Sequence, residues 1–129
     1  MKPKKTIHIF GNPLLDFDNL PLKLAPKLKK IFPKINFVIT DPNENLKPIG
    51  GELIIIDTIE GIKKVTVLDD IKKLEINKSY SLHDFDLAFN LKLLQKIGKL
   101  KKIKIIGVPM RGDEEEIFKQ LAKVIKSKV

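Results

Sequence analysis

Two carboxylates and one imidazole, Asp18, Asp57 and His83, carry the chemistry that the residue types of this chain allow. Each stands at the boundary of a predicted element: Asp18 follows the first apolar run, Asp57 ends the third, and His83 opens a helical pattern. In an open α/β sheet such positions converge on the carboxyl edge, where ligands bind. Two carboxylates and an imidazole suit a borderline divalent ion, nickel, zinc or iron, and leave coordination positions for a substrate. Each residue also has a plainer use. Asp57 can form a turn or cap a helix, Asp18 can cap the helix that begins near Leu20, and His83 can face solvent in a first turn. His8, the other histidine, lies within an apolar strand pattern and reads as a satisfied core residue rather than a ligand.

Other mechanisms lack their residues. There is no Cys, which removes disulfides, a Cys-ligated zinc site, a thiol nucleophile and iron-sulfur chemistry together. Neither Gly-x-Ser-x-Gly nor His-Glu-x-x-His occurs. The turn Gly11-Asn12-Pro13 lacks both the glycine pattern of a dinucleotide site and the Lys-Ser/Thr of a P-loop, so no organic cofactor is expected.

The elements that must position these residues follow from apolar periodicity. Thr6 to Phe10 reads as a strand, stopped by Gly11-Asn12-Pro13, a sequence that turns sharply because Pro cannot donate to a ladder and Gly and Asn tolerate the left-handed region. Leu20, Leu24, Leu28 and Ile31 recur at helical spacing up to Phe32, with Pro26 expected to kink that helix or mark its start. Ile35 to Thr40 is a second strand ending at Asp41-Pro42-Asn43, and 45–51 is loop with at most one helical turn. Leu53 to Asp57 is the strongest strand, a β-branched run of the kind buried on both faces. Val65 to Leu68 follows so closely that an antiparallel neighbour of that strand, at the sheet edge, is expected. Ser81 is the expected N-cap, with Asp84 three residues on, of a helix running to about Ile97 and ended by Gly98. Ile103 to Val108 is the last strand, closed by Pro109. Asp113 to Glu116 then load the first turn of a helix whose other end carries Lys123, Lys126 and Lys128. The order β-α-β-β-β-α-β-α predicts an α/β fold: a mostly parallel five-stranded sheet with one antiparallel edge strand and helices on both faces, a three-layer sandwich.

At 129 residues, 43% hydrophobic and 32% charged, the chain has the size and balance of one domain over residues 1–129. The basic start Met1 to Lys5 is followed by an apolar run too short for a signal peptide or membrane span, so a cytoplasmic protein with no membrane association is expected. The formal net charge is +9, yet Arg111 is the only Arg and Trp is absent. Base readout and single-strand platforms favour Arg and aromatic residues. A nucleic-acid partner is therefore not expected, and the lysines read as a solvated surface of the kind enriched in thermophile proteins, able to steer an acidic protein partner.

The order of these pieces resembles the hydrogenase maturation endopeptidases, which trim the large subunit of nickel-iron hydrogenases. That family's Gly-Asn-x-Leu-x-x-Asp-Asp/Glu-Gly is similar to Gly11-Asn12-Pro13-Leu14-Leu15-Asp16-Phe17-Asp18-Asn19. Its apolar strand ending in Asp resembles Leu53 to Asp57, its Ser/Thr-x-His before a Leu-rich helix resembles Ser81-Leu82-His83, and its final strand motif resembles Gly107-Val108-Pro109. The resemblance implies that Asp18, Asp57 and His83 bind metal, nickel borne by the substrate or another divalent ion. It further implies catalysis by Asp18 and Asp57 through carboxylate- or metal-assisted water attack, and substrate contacts at Asn12, Asp16, Asp41 and Asn43. The implied partner is the hydrogenase large-subunit precursor, met by a monomeric aspartate-dependent hydrolase that removes its C-terminal extension. Two positions depart from the pattern: Phe17 stands where the family has an acid, and Asp41-Pro42-Asn43 replaces its Asp-Gly-Gly. Those departures keep open a non-catalytic metal- or partner-binding protein on the same fold.

Overall fold

A computed structural model describes residues 5–10, 20–40, 48, 50–59, 61–69 and 91–129. Its regular elements are β1 (Thr6–Ile9), α1 (Leu20–Ile31), β2 (Asn36–Ile39), β3 (Glu52–Ile59), β4 (Thr66–Leu68), β5 (Lys102–Pro109) and α2 (Glu114–Lys128), with residues 91–96 also helical. The strands form one sheet in the order β2-β1-β3-β5-β4. All neighbours are parallel except β4, which runs antiparallel to β5 at the edge. This is the expected α/β architecture.

Hydrophobic patterning explains the layers. β3 is buried at every position after Glu52, as a strand covered on both faces must be. Its side chains alternate: Ile54 and Ile56 join Ile7, Ile9, Ile106 and Val108 beneath α1 and α2, through Leu24, Leu28, Leu121 and Ile125. Leu53, Ile55 and Ile59 join Phe10, Ile103 and Ile105 on the other face, beneath Leu91. The described helices therefore cover both faces, α1 and α2 on one and residues 91–96 on the other.

Three local expectations change. The antiparallel strand β4 pairs with β5 and not with β3, since Thr66, Val67 and Leu68 register against Gly107, Ile106 and Ile105. β5 occupies the place beside β3 instead, joined to it along all eight residues from Glu52↔Lys102 to Ile59↔Pro109. An eight-residue parallel pair outweighs the shorter loop that a hairpin would close, because closure entropy grows only slowly with length. Second, β3 extends past Asp57: Thr58 and Ile59, both β-branched, continue the ladder opposite Val108 and Pro109. Third, α1 begins at Leu20 and continues through Pro26, which therefore does not mark its start. Pro26 is exposed while Leu24, Ala25 and Leu28 are buried around it, so the missing N–H falls on the solvent side of a helix held by its apolar stripe.

Gly98 ends its helix as the sequence suggests, whereas Asp113, read as a first-turn residue, stands one position before α2 as its N-cap. Gly98 adopts φ 80°, its N–H donates to the Gln95 carbonyl and that of Lys99 to the Leu94 carbonyl, a Schellman ending for the helix of residues 91–96. The expected start of that helix, Ser81 with Asp84, lies outside the described residues. Asp113 caps α2 in extended conformation, its Oδ1 accepting the Glu115 N–H at 2.9 Å. Asp113→Ala should cost about 1 kcal/mol in urea unfolding. A shift indistinguishable from wild type would show that Glu114 to Glu116 satisfy the helix end without it.

Candidate active site

β1 has β2 on one side and β3 on the other, so the chain leaves β1 in one direction and later returns to the opposite side. The gap between the carboxyl ends of β1 and β3 is a topological switch point, the crevice in which open α/β sheets bind ligands. Phe10 carries the β1 ladder one residue further, donating its N–H to the Ile56 carbonyl at 2.9 Å. Two covalent neighbourhoods thus meet there: Phe10, which runs into Gly11, and Ile56, which runs into Asp57.

Asp57 is 5% exposed, rare for a carboxylate. One oxygen, Oδ1, accepts the Thr58 N–H at 2.9 Å. By alternation along β3, its side chain leaves the sheet on the face of Ile55 and Ile59, the face covered by the helical residues 91–96. The same helical pattern begins, in sequence, with Ser81-Leu82-His83. Being two residues inside β3 and paired with Gly107, Asp57 is neither a turn-former nor a helix cap. Those plainer uses of Asp57 are removed by its place in the strand.

Gly107 makes room for this arrangement. A Cβ at Gly107 would sit closer to Ile59 Cδ1 than carbon atoms approach, 3.1 Å from Ile59 Cγ1 and 3.3 Å from Ile62 Cδ1. The position opposite Asp57 must therefore lack a side chain for Ile59 to fill the core beside the carboxylate. Composition signals a close approach at a glycine inside a strand, but only the register reveals which residue profits from it.

His8 is hydrogen-bonded as expected but only half-buried, and it belongs to neither core cluster. Its Nδ1 lies 2.9 Å from the hydroxyl of buried Thr40, which also reaches the Val38 carbonyl at 3.4 Å. Thr40, at the end of the second predicted strand, is the partner that sequence periodicity did not identify.

Of the residues singled out for chemistry, Asp57 is the one the structure describes. Asp18, His83, Asn12, Asp16, Asp41 and Asn43 lie outside the described residues. Among the described residues no three His, Asp or Glu side chains gather as a metal would require, and no helix is long and apolar enough to cross a membrane.

A family model described as hydrogenase maturation protease (HycI) matches residues 44–129, a span that includes Asp57 and His83. No curated protein matches the chain. Among solved structures, the hydrogenase maturating endopeptidase HybD from E. coli aligns with a TM-score of 0.65 at 20% identity, over 96% of this chain and 94% of that one. The solution structure of an endopeptidase from Escherichia coli aligns with a TM-score of 0.61 at 20% identity over the same shares. An uncharacterized protein from Wolinella succinogenes aligns at 0.57 with 12% identity, over 95% of each chain. These structures share the fold. Because the family model spans two thirds of the sequence and includes the buried Asp57 at the switch point, the chain belongs to the hydrogenase maturation protease family and is a peptidase.

Proposed function

We propose that the protein removes the C-terminal extension of a nickel-iron hydrogenase large-subunit precursor after sensing nickel in that precursor through Asp18, Asp57 and His83. The observation that carries the reading is Asp57, a buried carboxylate two residues from the end of the central strand. A carboxylate held at the carboxyl edge of a sheet is an anionic oxygen donor of the kind a divalent ion takes, and in this reading the ion comes with the substrate. Nickel is accordingly part of the substrate, and its arrival completes the site.

The chemistry asked of this chain is then limited. Asp57 is fixed by the Thr58 N–H, so its carboxylate meets the incoming ion or water in one orientation. Hydrolysis needs a group to accept the proton of the attacking water, and a carboxylate at this edge supplies one. Asn12, Asp16, Asp41 and Asn43, in the segments that follow the first and second strands, supply the peptide contacts in this reading.

The test is incubation with nickel-loaded and metal-free precursor, read as C-terminal shortening by mass spectrometry. Shortening is expected only with nickel loaded, and His83→Ala should remove it by at least about tenfold, as loss of a metal ligand does. Equal shortening of both precursors would refute nickel sensing; no shortening of any co-occurring precursor would refute the substrate.

A further inference from the structure

The helices on one face of the sheet carry a surplus of lysine over acid. Residues 20–40 hold five lysines, Lys23, Lys27, Lys29, Lys30 and Lys34, and no acid; residues 117–129 hold Lys119, Lys123, Lys126 and Lys128, and no acid. The acids of α2, Glu114, Glu115 and Glu116, are confined to its first turn, so its lysines lie on the part of the helix beyond them. The two segments are far apart in sequence, yet α1 and α2 pack into the same core and lie together on one face of the sheet.

An open groove of about 460 Å³ runs along α2 on this face, lined by Phe118, Lys119, Ala122, Lys123, Lys126 and Ser127. Its apolar part is Phe118 and Ala122, both half-buried; its rim is the exposed Lys119, Lys123 and Lys126. Lys27 of α1 joins the rim, with Nζ 5.7 Å from the centre of the Phe118 ring. Alternation in β3 sends Asp57 to the opposite face, so the groove is not part of the site described above.

We infer that this groove docks an acidic segment of a partner protein that inserts an apolar side chain against Phe118 and Ala122. An isolated lysine surface would need no apolar floor, and an apolar patch alone would need no cationic rim. The combination, a small apolar centre with a cationic rim, is what an interface with an acidic, apolar-anchored segment requires. The layer contains no Arg, Tyr or Trp, the residues that read bases or stack on them, which favours a protein over a nucleic acid. The inference concerns a docking surface and stands whether or not the peptidase acts on the precursor proposed above.

The experiment uses the full chain and a fluorescein-labelled peptide in which Glu residues alternate with Leu and Phe, followed by fluorescence anisotropy. Binding should weaken with salt, and Lys119→Glu/Lys123→Glu/Lys126→Glu should lower affinity by about tenfold or more. Reversal of the equally exposed Lys63, Lys64 and Lys101 should leave it within about twofold. Replacing the peptide's Leu and Phe by Ser should also weaken binding. Circular dichroism checks folding, and Lys119→Gln/Lys123→Gln/Lys126→Gln decides the matter should the reversal unfold α2. Equal loss from both sets of reversals would overturn the groove, and indifference to the Ser peptide would overturn the apolar anchor. No peptide binding at low salt, or tighter binding of a single-stranded oligonucleotide than of the peptide, would overturn the proposal.

Discussion

Asp57→Asn should fold normally and lose at least about a hundredfold in precursor processing, the range expected when a proton-accepting carboxylate is removed. The substitution separates two roles of one side chain. Asn keeps an oxygen that can accept the Thr58 N–H, so the local hydrogen bond at 2.9 Å survives. Asn also keeps the volume, and a neutral amide is easier to bury than a carboxylate at a position only 5% exposed. What disappears is the negative charge, which the proposed nickel recognition and water activation would both use. Circular dichroism should therefore show a folded protein while processing, read by mass spectrometry, collapses. Wild-type processing by Asp57→Asn would remove Asp57 from the chemistry altogether. Asp57→Ala is the less useful variant, because it also strips the acceptor from the Thr58 N–H and mixes a folding effect into the result.

Gly107→Ala should destabilise the protein by about 1 to 3 kcal/mol, the usual cost of overpacking a filled core. The new methyl would collide first with Ile59 Cδ1 and then crowd Cγ1 at 3.1 Å and Ile62 Cδ1 at 3.3 Å. Ile59 is 1% exposed, so its terminal methyl has little free space into which to turn. The collision is also its own control. Ile59→Val removes the clashing methyl at a cost of about 0.5 to 1.5 kcal/mol. In the Gly107→Ala/Ile59→Val double variant the two losses should not add, and a positive coupling in urea denaturation identifies this contact as the cause. Strict additivity would place the cost elsewhere, in the backbone of β5. Because Asp57 and Gly107 are register partners, the single variant should also reduce processing beyond what its lost stability explains.

Local pattern reveals more of this protein than long-range pairing does. The run Leu53 to Asp57 could only be a strand covered on both faces, and β3 is one. The lysine and acid placement at the ends of α2 follows the macrodipole and needs no tertiary knowledge. What sequence did not show was which strand takes the place beside β3. Val65 to Leu68 is close in sequence, but a three-residue strand offers little against the full ladder of β5. Asp57 was recognisable as a residue at a strand's carboxyl end, whereas its position inside the ladder depended on Thr58 and Ile59 finding Val108 and Pro109. Gly107 was visible only as part of a motif; its purpose is a contact with Ile59, forty-eight positions earlier, and no local rule reports that. Thr40 as a partner of His8 was hidden for the same reason, since it lies just beyond the end of the neighbouring strand β2 and is distant along the chain.

The pairing of β3 with β5 also governs when the protein can become itself during synthesis. The heart of the sheet joins Glu52 to Lys102 and Ile59 to Pro109, partners fifty positions apart. Until the last strand has emerged from the ribosome, β3 has one flank open, and a β-branched run with an unpaired edge is the kind of segment that seeks strands on other chains. The core can therefore close only once β5 has been made, and α2, which follows it, then seals one face. Of the lysines on the helical face, those of residues 20–40 are made before β3 and those of α2 only after β5, so the open flank of β3 is accompanied by the first group alone.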